Sequence, residues 1–348
     1  VFNGTRKSDS LLVTVFKANR SQQNEELIAN AVHKAKILKI PGLCHVLDTF
    51  DSDPQSTFII TERVIPFPWD DLKALQRNKE GIELGISQIL TTLKFLNAFV
   101  LGTISKESIF IDTKGQWLLF GLELCYKKTE IDESRFASNV LLYNRLMGLP
   151  TTTEDCKKID SLQLGALLTE LLGGSSKVPR DWKSTFQIFC RAGITLESFM
   201  SRLESTSTWS SNPLISIFHQ LKELHIKDPP GRLLVMAQIQ NIFFESRNLF
   251  HNLSPGFIEG LLLPELSSVI QWLITSQNNS ASSISRLIPL LAIFLDLTID
   301  TDYFPETSKN LVYECFSLQD RQVRFLLLIY LPKISKKLAS SEISGKIY

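Results

Sequence analysis

The stretch LGTISKESIFID, residues 101–112, marks the place where a long helical pattern gives way to a strand pattern. Before it, residues 82–100 carry apolar side chains at helical spacing along one face. From the end of this stretch onward, residues 108–124 have the pattern of a strand, a turn at Lys114-Gly115 and a second strand. A helix, a short polar loop and a β-hairpin in this order predict a mixed α+β domain.

Upstream, the first eighty residues have the pattern of a small sheet with one helix. The β-branched run at 11–18 predicts a strand, and apolar residues at helical spacing predict a helix over 26–40. The segments 43–50 and 56–64 flank a turn signal rich in Asp, Ser and Pro, which predicts a hairpin.

Downstream of about residue 230, strand signals disappear and helical patterns follow one another with short polar breaks. Successive helices of this kind are typical of stacked repeats, in which each helix buries its apolar face on a neighbour. The clearest patterns are 256–274, 285–299, 308–316 and 320–338. The final residues, 341–348, have the pattern of another helix start, so the sequence predicts a solenoid that continues further.

Composition narrows the function classes. The chain has 348 residues, enough for two domains, and a net charge of +1, so any anion-binding site has to be a local patch. The five cysteines show no CxxC spacing, which favours a reducing compartment, and the five histidines show no metal-ligand spacing. No apolar run approaches the ~20 residues of a membrane span. We therefore expect no metal site and no transmembrane segment.

The order and spacing of the motifs around residues 101–112 resemble those of protein kinases. A kinase catalytic loop reads His-Arg-Asp-Leu-x-x-x-Asn. In this sequence Thr103 takes the place of the catalytic Asp, and Ser108 takes the place of the metal-binding Asn. Gly-Leu-Glu at 121–123 stands where the family has Asp-Phe-Gly, and the competing register, Leu-Phe-Gly at 119–121, also lacks the Asp.

The N-terminal residues resemble the small lobe of the same family. The strand VTVF falls where the Val-Ala-Ile-Lys strand should be, which puts Phe16 in the place of the ATP-binding lysine. Ala31 stands where the resemblance implies the glutamate that pairs with that lysine. As an alternative, a shifted helix could bring Glu25 or Glu26 inward. The glycine-rich loop would lie at or before residue 1.

The residues at these motif positions differ from those that phosphoryl transfer requires. Phosphoryl transfer depends on a lysine, a metal-binding Asp and Asn, and a catalytic base. Lys17 adjoins the lysine position, but consecutive side chains on a strand face opposite ways. The resemblance therefore implies a kinase fold without catalytic, cofactor-binding or metal-binding residues. The degenerate positions are Phe16, Ala31, Thr103, Ser108 and Gly121.

The motif Asp320-x-x-Val323-Arg324 resembles the signature of HEAT repeats. Asp320 can cap the helix, Val323 can begin its buried stripe, and Arg324 can pair with acids of adjoining turns. Pro264 and Pro289 lie inside helical patterns, as prolines often do in HEAT helices.

A degenerate kinase domain followed by HEAT repeats resembles the SCY-like (N-terminal kinase-like) pseudokinase family, and within it the yeast-type cytoplasmic tRNA-export branch. Asp160 and Gly165 match a further kinase helix pattern. The fold class predicted is an α+β, bilobal, protein-kinase-like domain followed by an all-α HEAT-repeat solenoid. The domains predicted are a β-rich small lobe (1–65), a helical large lobe (66–230) and HEAT repeats (231–348).

The resemblance implies a cytoplasmic adaptor, at the nuclear-pore periphery or the Golgi, that takes exported tRNA and passes it on for translation. Its implied partners are tRNA, nuclear-pore and export factors, a Ran-type GTPase and a translation elongation factor. Two alternatives are an adaptor that binds vesicle coat subunits in Golgi-to-ER traffic, and a nucleotide sensor or residual atypical kinase.

Three lysines are candidate RNA contacts. Lys333, Lys336 and Lys337 are spaced i, i+3 and i+4, so a helix would place them on one face. The alternative is an ordinary solvated face opposite an apolar stripe made of Leu327, Leu331, Ile334 and Leu338.

Overall fold

The computed structural model describes residues 1–51, 53, 55–149, 158–276, 281–301 and 306–338. The chain forms two compact units, Val1–Asn212 and Pro213–Tyr348. The division falls before the boundary predicted at residue 230, because the helix that starts at Pro213 packs against the helix that follows it. The lobe and repeat identities given to the domains stay predictions.

The first unit begins with an antiparallel four-stranded sheet of order β1-β2-β4-β3. Its strands are β1 Phe2–Thr5, β2 Leu12–Asn19, β3 Val46–Phe50 and β4 Ser56–Glu62. The strand expected at 11–18 and the hairpin expected from 43–50 and 56–64 are both present. In the turn of that hairpin, Ser52 and Pro54 lie outside the residues that the structure describes.

Helix α1, Glu25–Ile37, packs on this sheet through an apolar face that includes Ile28, Val32 and Ala35. The helix ends earlier than residue 40, because Leu38 adopts an extended backbone.

A second sheet, of order β5-β7-β8, contains the hairpin that follows the loop at 101–108. The remaining strands are β5 Val64–Pro66, β6 Phe99–Val100, β7 Ile109–Asp112, β8 Trp117–Leu119 and β9 Tyr126–Lys127. The other helices of this unit are α2 Leu72–Leu75, α3 Lys79–Phe95, α4 Glu133–Met147, α5 Ile159–Leu171, α6 Lys183–Phe189, α7 Leu196–Glu204 and α8 Ser207–Ser210.

The core of the first unit lies where α3 meets the second sheet. Ile86 and Ile89 of α3 are fully buried, and Trp117 of β8 is 1% exposed. A Cβ atom on Gly85 would lie 2.3 Å from the Trp117 ring, so only glycine lets the indole lie flat against the helix. This contact fixes the hairpin, and with it the preceding loop, on α3.

The second unit contains helices only, among the residues that the structure describes. They are α9 Pro213–Lys222, α10 Pro229–Glu245, α11 Leu263–Ser276, α12 Ala281–Asp300, α13 Glu306–Ser317 and α14 Arg321–Ile334. Helix α11 packs against α12 and α13, and α12 packs against α14. The four helical patterns expected from the sequence are present, and the helix start expected at 341–348 lies outside the described residues. The assignment of these helices to HEAT repeats stays a prediction.

The start of α14 has the local structure expected of its motif. Asp320 accepts hydrogen bonds from the backbone nitrogens of Gln322 (2.8 Å) and Val323 (3.0 Å), and Val323 is fully buried. Arg324 donates from Nε to the carbonyl oxygen of Leu318 at 2.8 Å. Asp320 is therefore an N-cap, and Arg324 bonds locally to a carbonyl oxygen where the motif predicted an acid.

One helical stretch in the described ranges, Phe257–Thr275, is long and apolar enough to cross a membrane, with a mean hydropathy of 1.4. A single helix of this kind is weak evidence for a span, because buried core helices have the same length and composition. This one includes most of α11, which packs against other helices of its unit.

Candidate functional site

Four of the five degenerate positions line one cavity of about 240 Å³ in the first unit. They are Phe16 on β2, Ala31 on α1, Ser108 before β7 and Gly121 after β8. The fifth, Thr103, adjoins them, because its hydroxyl donates to the carbonyl oxygen of Gly121 at 2.6 Å. Positions that are far apart in the sequence therefore meet at one cleft.

Aromatic rings occupy the wall at Phe16. The Phe16 ring lies 4.5 Å from the Phe120 ring and 5.1 Å edge-on from the Phe110 ring, measured between centroids. Edge-to-face and tilted packing at these distances is favourable for aromatic pairs. The place where the resemblance implies an ATP-binding lysine is thus part of an apolar cluster.

Lys17 does not replace that lysine in the structure. In the ladder between β2 and β4, Phe16 pairs with Ile59, whereas Lys17 pairs with Phe58. The Lys17 ammonium lies 5.9 Å from the centroid of the Phe58 ring. Lys17 also borders the cavity. Since neighbouring residues of a strand face opposite sides of the sheet, however, its side chain does not share the sheet face that carries Phe16.

Helix α1 likewise brings no carboxylate to the position of Ala31, which is buried. Glu26 accepts hydrogen bonds from Nε of Arg135 (2.8 Å) and Nδ2 of Asn139 (3.0 Å), both on α4. The bond from Arg135 is the main reason that the pKa of Glu26 is lowered. Glu25 is exposed. The alternative that a shifted helix turns one of these acids inward does not match the geometry.

Asn30 holds α1 against the segment that follows Gly121, a role that sequence reasoning missed. Its side-chain Nδ2 lies within donating distance of the carbonyl oxygens of Leu122 (3.3 Å), Glu123 (2.9 Å) and Cys125 (3.2 Å). The sequence does show an asparagine next to Ala31, the position of the family's glutamate. Its hydrogen-bond partners could not be predicted, because they are about ninety residues away in the sequence.

The loop at 101–104 is held by the first turn of α5. Asp160 accepts hydrogen bonds from the backbone nitrogens of Leu101 (2.9 Å) and Gly102 (2.7 Å). Gln163 accepts from the nitrogen of Ile104 (3.0 Å) and donates to the carbonyl oxygen of Gly102 (2.9 Å). Burial raises the pKa of Asp160, and the two backbone donors oppose that shift. Asp160, which matches the kinase helix pattern, therefore has a structural role: it holds the loop at 101–104 on α5.

Two polar side chains in the cleft, Ser108 and Glu123, differ in whether they have hydrogen-bond partners. The Ser108 hydroxyl accepts from the nitrogen of Ser105 (3.0 Å) and donates to its carbonyl oxygen (2.8 Å), so it is engaged in a local turn. Oε2 of Glu123 is buried and has no hydrogen-bond partner in the described part of the chain. Burial raises the pKa of Glu123. No group of three or more metal-ligating side chains occurs among the described residues.

The three candidate lysines do not form one cluster. Lys333 and Lys336 are exposed. Lys337 lies in a 3₁₀ turn after α14, and its ammonium donates to the carbonyl oxygens of Thr298 (2.8 Å) and Thr301 at the end of α12. The prediction of one shared helix face is wrong, because the α-helix ends at Ile334 and both Lys336 and Lys337 lie in the 3₁₀ turn after it. Of the two, Lys337 is the one directed to α12.

Comparisons with known proteins include a strong relative and a more distant one. The chain is 55% identical over 355 aligned residues, its whole length, to cytoplasmic export protein 1 of Saccharomyces cerevisiae, and covers 46% of that protein. It is 27% identical over 201 residues to a probable inactive serine/threonine-protein kinase, scy1, of Dictyostelium discoideum, which corresponds to 53% of this chain and 24% of the relative. No family model matches the chain.

Among solved structures, the crystal structure of Cex1p superposes on the whole chain with a TM-score of 0.96 and 56% identity, and the match covers 65% of the Cex1p chain. The chain thus spans about half the length of the export protein. The resemblance to the SCY-like family, and to its yeast-type export branch, is confirmed.

Proposed function

We propose that this chain, a relative of the yeast cytoplasmic export protein and of SCY-like proteins, is part of a catalytically inactive adaptor for the export and cytoplasmic hand-off of tRNA. The observation that carries the proposal is the 55% identity over the whole chain to a protein named for cytoplasmic export. The match covers 46% of that relative.

The geometry of the cleft supports the absence of kinase activity. Phosphoryl transfer needs positive charge beside the nucleotide phosphates and ligands for magnesium. The cleft has the ring of Phe16 at the lysine position and the backbone of Gly121 at the metal-binding Asp position. The hydroxyl of Ser108 is bonded to Ser105. An adaptor acts through its surfaces, so it does not need these groups.

Lys333 and Lys336 are the candidate RNA contacts. Lys337 is not one of them, because its ammonium bonds to the carbonyl oxygens of Thr298 and Thr301. A net charge of +1 gives no general attraction to RNA, so phosphate contacts need local positive charge. Two exposed lysines within one turn provide point charges for phosphate oxygens. Folded RNA is recognised largely through shape and backbone, which such contacts suit. The protein partners in the proposal, namely nuclear-pore and export factors, a Ran-type GTPase and an elongation factor, come from the family resemblance.

The test is an electrophoretic shift of bulk tRNA by this chain over a range of salt concentrations. Binding through phosphates falls steeply with salt. We expect the double variant Lys333→Glu/Lys336→Glu to bind more weakly, with a shallower salt dependence, for all tRNA species alike. The matched control is Lys73→Glu/Lys79→Glu, which reverses two exposed lysines in the other unit and should leave binding unchanged. Equal affinity in both double variants would reject this patch, and no shift of tRNA by this chain would reject RNA contact by Lys333 and Lys336.

A further inference from the structure

The cleft beside Phe16 has the size of a small-molecule site. Its volume is about 240 Å³. A cavity of ~150 Å³ lined by apolar side chains holds benzene, and pockets for drug-sized ligands measure ~300–1,000 Å³. The available space therefore suits one aromatic ring with a short side chain.

The walls of the cavity suit a ring. Phe16 packs with Phe110 and Phe120, at centroid distances of 5.1 and 4.5 Å, to form one side. Aliphatic side chains from α1 and β4, including Val32 and Ile59, also line the cavity. An aromatic ligand can pack edge-to-face or offset against such a cluster.

The inner corner of the cavity is polar and acidic. Oε2 of Glu123 is buried there without a hydrogen-bond donor from the described residues. A Cβ atom on Gly121 would lie 3.6 Å from this oxygen, so the absence of a side chain at Gly121, whose φ is +127°, leaves the corner open. A buried acceptor without a partner is costly, and a donor brought by a ligand removes that cost. Burial accordingly raises the pKa of Glu123.

We propose that this cavity binds a small arylalkylamine, whose ring packs against Phe16 and Phe120 and whose ammonium group donates a hydrogen bond to Glu123. The lining also contains the exposed side chains of Glu107 and Lys17, whose opposite charges offset each other, so the preference for a cation rests on the buried oxygen of Glu123. This site is independent of tRNA binding and goes beyond the adaptor function.

The experiment is a titration of this chain with 2-phenylethylamine, followed by NMR chemical-shift changes and by calorimetry. The matched probe is 3-phenylpropionate, which has the same ring and chain length but carries a carboxylate. We expect saturable binding of the amine, with shift changes at Phe16, Phe120 and Glu123, and at least tenfold weaker binding of the acid. The comparison uses the unmodified chain, so it does not depend on the folding of a variant.

Two variants locate the contact. Glu123→Gln should weaken binding of 2-phenylethylamine at least tenfold, because it removes the charge and keeps the side-chain shape. Glu107→Gln, on the exposed rim, should change affinity less than threefold. Equal affinity for the amine and the acid, an unchanged affinity in Glu123→Gln, or no binding of the amine at 10 mM would each overturn the proposal.

Discussion

Among the residues of the first unit, Glu83 has a charge state that changes near neutral pH. It lies on α3 with 5% exposure and accepts one hydrogen bond, from Nδ2 of Asn212 at 2.9 Å. Burial, which disfavours the carboxylate, is the main cause that raises its pKa to about 7, and the bond from Asn212 opposes the shift. The stability of this unit should therefore depend on pH in a defined direction.

A carboxyl whose pKa is higher in the folded than in the unfolded state contributes full stability below its unfolded value. That contribution is lost as the pH rises through about 7. We expect Glu83→Gln, which stays neutral, to raise the free energy of unfolding at pH 8 by on the order of 1 kcal/mol, or ~2–4 °C in Tm. At pH 5 it should give no such gain.

Thermal unfolding at the two pH values checks this expectation, with Glu197→Gln, which changes an exposed carboxylate on α7 of the same unit, as the control. An equal gain at pH 5 and pH 8 would show that packing, and not titration, is responsible.

Asp160 gives a second prediction at the level of single residues. Asp160→Ala leaves the backbone nitrogens of Leu101 and Gly102 without their acceptor. Each unsatisfied buried group costs ~1–3 kcal/mol, so we expect a loss of at least ~2 kcal/mol in urea unfolding at pH 7. The exposed control Asp70→Ala should stay within ~0.5 kcal/mol. A loss as small as that of the control would mean that the loop is held by other contacts.

Sequence reasoning located Phe16, Ser108 and Gly121 because motif spacing fixes where such residues fall in a known arrangement. It missed Asn30 and Glu123, whose importance depends on partners, or on the lack of them, that only the folded chain reveals. Spacing predicts which residues share an element, but it carries no information on which carbonyl oxygen lies nearby.

At the scale of elements, Lys337 connects the turn after α14 to the end of α12. A cation at a helix C-terminus is favourable by ~0.3–1 kcal/mol, and its bonds to carbonyl oxygens add to this. We expect Lys337→Met to lower the free energy of unfolding by about 1–2 kcal/mol, because the bonds to Thr298 and Thr301 are lost. Lys336→Met should have almost no effect, since Lys336 is exposed. Chemical denaturation compares the two, and equal effects would contradict the role of Lys337 as a cap.

Element boundaries show where local patterns stop being informative. The helical pattern expected over 82–100 ends at Phe95, because Phe99–Val100 pair with Tyr126–Lys127 as strands β6 and β9. Pairing with a distant segment overrides the local preference for helix. The apolar periodicity within α3 predicted its existence correctly, because burial of one face depends on the segment itself.

At the scale of the whole molecule, the sequence predicted a mixed α+β part followed by a helical part, and the chain has both. The division at Asn212 and Pro213 could not be placed from composition, since it depends on the packing of α9 against α10, which only the folded chain reveals. The central claim for the molecule is that the first unit has kept a kinase-like cleft without a site for Mg-ATP.

The melting temperature of the chain with and without millimolar Mg-ATP tests that claim most directly. A ligand that binds only the folded state adds ~2.7 kcal/mol of stability at a hundredfold excess over its Kd. The account predicts no shift, because Phe16, Ser108 and Gly121 provide neither positive charge nor magnesium ligands. A reproducible rise in melting temperature with Mg-ATP that disappears when EDTA removes the metal would contradict it.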